Sequence, residues 1–224
     1  MNFIQPEQTS LVIDPSIPRE AYLPLDLSVS NPKIAEVNAS SSADWEQYIN
    51  KLLKENGKKI AFGGYLEKRN IYQRSAYFKD AANNRNIHLG VDFWIGAGTS
   101  VHAFANGKVH SFQDNQNFGD YGPTIILEHA FNGQVFFSLY GHLSRESLNN
   151  ISLGQAVVCG EKIAELGAAS VNGDYAPHLH FQLIRDMEGK KGDYPGVCTE
   201  SEVTKYKKNC PNPLSTLNLE NLTL

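Results

Sequence analysis

Two Asn-Gly dipeptides, Asn106-Gly107 and Asn132-Gly133, each stand between short runs rich in Val, Ile, Phe and Tyr. Both residue types tolerate the positive φ of two-residue hairpin turns, so this punctuation drives the flanking segments toward antiparallel pairing. Runs at 101–105, 124–127, 134–140, 156–159, 162–166 and 178–184 repeat the pattern, each bounded by turn residues. The spacing predicts a mainly β, antiparallel domain over residues 59–187.

The flanks read differently. Residues 1–58 begin as an irregular arm punctuated by Pro6, Pro15, Pro18, Pro24 and Pro32. Each proline removes a backbone donor and biases its predecessor toward extended geometry, so the arm is expected to wrap over the domain. One helix follows. Trp45, Tyr48, Ile49, Leu52 and Leu53 fall at i, i+3, i+4, i+7 and i+8, a single apolar stripe with Ser42 as its expected N-cap and Asn56-Gly57 as its stop. Residues 188–224 turn polar and rich in Gly and Pro, and are expected to lie on the domain as an irregular tail.

Hydrophobic residues make up 41% and charged residues 20%, which excludes a disordered chain. The formal charge of −4 gives no electrostatic reason to expect a nucleic-acid partner. No apolar run approaches the ~20 residues of a transmembrane helix. The N-terminal residues carry no basic region followed by an apolar stretch, so a cytoplasmic location is the expectation. Three cysteines, Cys159, Cys198 and Cys210, are too few for a disulfide framework.

The chemistry lies in the histidines. In a strand over 178–184, His178, His180 and Gln182 share one face while Leu179, Phe181 and Leu183 share the other. Two adjacent imidazoles serve metal binding or proton transfer, or else simply decorate a solvated face. His88 and Asp92 would stand about 13 Å apart on a straight strand, too far to share a metal. A bend at Gly90 would let them converge. His142 ends a predicted strand, in Tyr140-Gly141-His142-Leu143, where a side chain can reach a cleft. A catalytic zinc needs three protein ligands, an open position and nearby acid–base groups, and these elements supply candidates for each.

The three elements together, His88-x-Gly90-x-Asp92, Tyr140-Gly141-His142-Leu143 and Pro177-His178-Leu179-His180-Phe181, resemble the lysostaphin-type zinc metallopeptidases. These are β-sheet peptidases, many of which cut peptide cross-links in bacterial peptidoglycan. The resemblance implies that His88, Asp92 and His180 bind Zn2+, and that His142 and His178 face a peptide or peptidoglycan-fragment substrate. On that reading zinc activates a water and polarises the scissile carbonyl, one free imidazole takes the proton and the other supports the oxyanion. His102, His110 and His129 fall outside the motifs and are given structural roles.

The chain departs from the family pattern at the cleft rim. Ala176 stands where many relatives have Gly, and Gln182 where they often have Glu. Some relatives place a tyrosine shortly before the first ligand, and residues 81–87 contain none. The competing readings are a zinc-containing binding module without turnover and a cytoplasmic zinc amidohydrolase acting on another substrate. The arm or the tail is expected to cover part of the cleft.

Overall fold

The computed structural model describes residues 8–38, 40–69, 79–80 and 83–222. Pro6 and residues 81–82, used in the sequence reading, lie outside them. The strands are β1 (Tyr22–Pro24), β2 (Ile60–Gly63), β3 (Lys79–Asp80), β4 (Asn83–Asn84), β5 (Ile87–His88), β6 (Val91–Trp94) and β7 (Ser100–His102). They continue as β8 (Gly107–Asn115), β9 (Gly122–Phe131), β10 (Gln134–Gly141), β11 (Ala156–Val157), β12 (Lys162–Glu165), β13 (His178–Ile184) and β14 (Val197–Cys198). Eight of them form one sheet in the order β1-β2-β6-β13-β10-β9-β8-β11. Every pairing in it is antiparallel except β1 with β2.

Asn132-Gly133 closes the β9–β10 hairpin with Phe131 opposite Gln134, both turn residues taking left-handed φ of 49° and 75°. Asn106-Gly107 does not close a hairpin. Neither residue adopts the left-handed φ that a primed turn requires, and β7 pairs with β12 in a separate two-stranded ribbon. The link 103–106 crosses instead from that ribbon to the main sheet. It is held by Phe104 N–H donating to the Tyr140 hydroxyl and by the Asn106 carbonyl accepting from His129.

β13 lies in the middle of the sheet and all seven of its residues are buried. Leu179, Phe181 and Leu183 enter the main core with Val91, Phe93, Leu127 and Tyr140. The opposite face, carrying His178, His180 and Gln182, is flanked by two smaller clusters. One comes from the arm and the helix α1 (Ser42–Glu55), and joins Leu25, Leu27, Trp45 and Ile49 to Trp94 and Ala176. The other joins Tyr194, Cys198, Tyr206 and Cys210 of the C-terminal extension to Leu89 and Leu139 of the domain.

α1 buries Trp45, Ile49 and Leu53 on its predicted stripe. Its N-cap is Ser41, not Ser42: Ser41 Oγ accepts from Asp44 N–H, while Ser42 Oγ donates to Asp174 Oδ1 at 2.9 Å. The tail is more regular than its composition predicts. β14 pairs with β5, and two short helices, α2 (Val203–Asn209) and α3 (Pro213–Leu217), follow. Tertiary burial of Tyr206 and Leu217 supplies what local polarity does not. Cys198 and Cys210 are buried free thiols. No helix among the described residues is long and apolar enough to cross a membrane.

Candidate active site

Gly90 sits between β5 and β6, and the break there turns His88 back toward Asp92. A Cβ at Gly90 would stand 2.7 Å from His180 Cε1 and 2.7 Å from the Phe181 carbonyl, so only glycine lets the bend pack against β13. β6 pairs with β13 so that Asp92 lies opposite His180. The result is a tight buried triangle. His88 Nε2 is 2.9 Å from His180 Nδ1, and Asp92 Oδ1 is 3.2 Å from the former and 3.1 Å from the latter.

The protons of both rings are committed elsewhere. His88 Nδ1–H donates to the Gly64 carbonyl at 2.9 Å, and His180 Nε2–H donates to Gln182 Oε1 at 2.9 Å. Gln182 is fixed in that orientation because its amide nitrogen donates to the Pro195 carbonyl and Cys210 Sγ. Burial would raise the Asp92 carboxyl, but its neighbour His88 and the Arg69 guanidinium hold it well below the usual range. Burial pushes His88 down to about 4 against the pull of Asp92. Two bare ring nitrogens and a carboxylate oxygen therefore point at one spot, an arrangement of mutually repelling lone pairs that a cation relieves. The spacings are close to the ~3.3 Å edges of a tetrahedron with ~2.0–2.1 Å bonds, and two nitrogens with one oxygen suit zinc.

Beside the triangle stand the other two sequence-selected histidines. His142, just past β10, holds a left-handed φ of 63° and donates from Nδ1 to the Asn172 carbonyl at 2.8 Å. His178 Nδ1 donates to the Ala176 carbonyl at 2.7 Å. Their rings lie 4.2 Å apart, and His178 Nε2 is 3.9 Å from Asp92 Oδ1. Burial lowers both imidazoles, and for His142 the neighbouring His178 and His180 add to it. With Nδ1–H engaged, each ring keeps a lone pair at Nε2. All five sequence-selected residues are thus brought together. His102, His110 and His129 lie elsewhere, bonded to Gly160 and Ser100, to Ser111, and to Asn106 and Ser138 respectively.

Sequence reasoning missed the surroundings. Tyr121 tilts over His142 and His180, with its hydroxyl 3.4 Å from His180 Nε2. Tyr175 sets its ring edge-on to His142 and His178, Trp94 stacks on His178, and Arg69 pairs with Asp92. Arg69 and Tyr121 come from segments that no sequence spacing ties to the histidines, whereas Trp94 and Tyr175 lie two and three residues from Asp92 and His178 but carry no ligand chemistry to single them out. The cleft over the site is walled by Leu27, Trp45 and Ile49 on one side and by Tyr194, Pro195 and Gly196 on the other. Arm, helix and tail therefore all contribute to it.

Residues 86–193 match the model of peptidase family M23. They form an M23 peptidase domain. All five selected residues fall inside it, whereas Arg69, α1, α2 and α3 fall outside. The chain is 35% identical over 101 residues to lysostaphin from Staphylococcus staphylolyticus, covering 45% of this chain and 19% of lysostaphin. It is 33% identical over 101 residues to the glycyl-glycine endopeptidase ALE-1 from Staphylococcus capitis, covering 45% of this chain and 25% of that protein. Among solved structures, the catalytic domain of lysostaphin from Staphylococcus simulans shares 28% identity at a TM-score of 0.40, covering 59% of this chain and 80% of that domain. The chain thus spans about a fifth to a quarter of the length of these curated relatives.

Proposed function

We propose that this chain is a zinc metalloendopeptidase whose M23 domain hydrolyses peptide bonds in peptidoglycan-type peptides containing glycine or D-Ala. The observation that carries the reading is the convergence of His88 Nε2, His180 Nδ1 and Asp92 Oδ1 with no proton left to share among them. These three residues would hold the metal. Bound zinc supplies Lewis acidity, polarising a carbonyl and acidifying a water. The chain's own residues do the rest. His142 and His178, neutral and with Nε2 free, accept and return protons at the scissile amide. Once protonated, either one can donate toward a developing oxyanion. Trp94 and Tyr175 hold the two rings in place, and the apolar wall of Leu27, Trp45 and Ile49 limits water on that side.

The choice of peptidoglycan-type substrate rests on the kinship with a glycyl-glycine endopeptidase. The test is release of new amines from glycine-containing and D-Ala cross-linked peptides, with and without a chelator. Cleavage that stops on chelation and returns with zinc supports the reading. A zinc-loaded protein that cleaves neither peptide contradicts it.

A further inference from the structure

We propose that Arg69, itself held by Glu67, is a positioning residue that takes up one oxygen of Asp92 so that only the other turns toward the metal. The inference rests on the zinc reading above and concerns two residues upstream of the matched M23 segment.

Arg69 is 3% exposed, and its guanidinium reaches two carboxylates at once. Nη1 donates to Asp92 Oδ2 at 2.5 Å, and Nε donates to Glu67 Oε2 at 2.5 Å. The remaining oxygen of Glu67, Oε1, accepts from Leu27 N–H at 2.9 Å, which ties the pair to the N-terminal arm. The backbone is fixed as well: Arg69 N–H donates to Asn86, Leu66 N–H to His88, and His88 N–H to Glu67. The segment carrying Arg69 is thereby laced to the strand carrying a metal-ligand candidate.

The two oxygens of Asp92 have different partners. Oδ1 faces His88 Nε2 and His180 Nδ1, while Oδ2 faces Arg69. The guanidinium lies behind the triangle, not inside it. A Cβ on Gly64 would meet both Arg69 Nη2 and His88 Nδ1, the ring nitrogen that points away from Asp92. A carboxylate with both oxygens free can chelate a metal and fill the open position that catalysis needs. A planar guanidinium bound on Oδ2 prevents that, which the single point charge of lysine does less well. The same guanidinium stands 5.5 Å from the Trp94 ring, the ring that stacks on His178. One buried cation thus backs both a metal-ligand candidate and a proton-moving imidazole.

The test uses the full chain as Arg69→Gln, Arg69→Lys and Glu67→Gln, with circular dichroism to verify folding. Zinc affinity is read by competition with a chromophoric chelator, and coordination by the visible spectrum of the cobalt(II)-substituted protein. Arg69→Gln is expected to weaken zinc binding about 10- to 100-fold and to weaken the cobalt bands as Asp92 gains freedom to bind through both oxygens. Arg69→Lys should recover only part of each, and kcat should fall more than KM changes. Should Arg69→Gln fail to fold, Arg69→Lys and Glu67→Gln give the same readouts with smaller shifts. Wild-type zinc affinity and an unchanged cobalt spectrum in every folded variant would overturn the inference. A wild-type protein that binds no zinc would instead overturn the reading beneath it.

Discussion

Gly90→Ala is the substitution that most directly probes how this backbone builds its site. The new methyl would lie 2.7 Å from His180 Cε1, 2.8 Å from His180 Nε2 and 2.7 Å from the Phe181 carbonyl, about 0.7 Å inside the 3.4 Å where ordinary contact begins. The carbonyl belongs to β13, central in the sheet, and has little room to yield. The His180 ring or the β5–β6 bend must therefore move. Overpacking of this kind costs about 1–3 kcal/mol. At about 2–4 °C per kcal/mol for a domain of this size, Tm should fall by about 2–12 °C. Because the displaced ring carries Nδ1 of the triangle, zinc affinity should fall about tenfold or more as well. Gly96→Ala is the control, since a Cβ there meets nothing within 4 Å and its φ is not left-handed. Thermal unfolding in EDTA and chelator competition with zinc give the two readouts. A Gly90→Ala protein that melts with the wild type and binds zinc equally well would refute the reasoning.

Three further outcomes are expected. His142→Asn, which keeps a residue tolerant of left-handed φ, should retain zinc but lose about 10²- to 10⁴-fold in kcat; activity within a few-fold of wild type would contradict the proton-transfer role. Because burial lowers both His142 and His178, the acid limb of kcat/KM should fall below pH 6.5, and a limb above that value would count against neutral imidazoles. His129 is pushed by burial to about 4, so the folded state resists its protonation. The stability it holds above the unfolded value of about 6.5 is then lost as pH falls toward about 4, by about 3 kcal/mol. Urea midpoints of the wild type and His129→Gln in EDTA should diverge in slope over that window; parallel slopes would contradict it.

The parts of the site that share one strand or one short motif were legible in the sequence. The alternation of His178, His180 and Gln182 against Leu179, Phe181 and Leu183 is a two-residue period, and the sheet preserves it. The bend that joins His88 to Asp92 was readable because glycine marked it. Arg69 and Tyr121 were not readable, because each reaches the site only through the folding of a distant segment. Asn106-Gly107 misled for a related reason: local φ preference favoured a hairpin, but β7 found its partner in β12, some sixty residues on. At the start of α1 two adjacent serines had equal capping chemistry, and the bond from Ser42 to Asp174 left the cap to Ser41. In the tail, burial of Tyr206, Cys210 and Leu217 organised a stretch whose composition predicted none of it.

His88, Asp92 and His180 are proposed to form a zinc site. Zinc titration against a chromophoric chelator, on the wild-type chain and on Asp92→Asn, tests it most directly. Tight binding of about one zinc per wild-type chain is expected, with loss of that binding in a folded Asp92→Asn protein. Equal zinc binding by both proteins, or by neither, would contradict it.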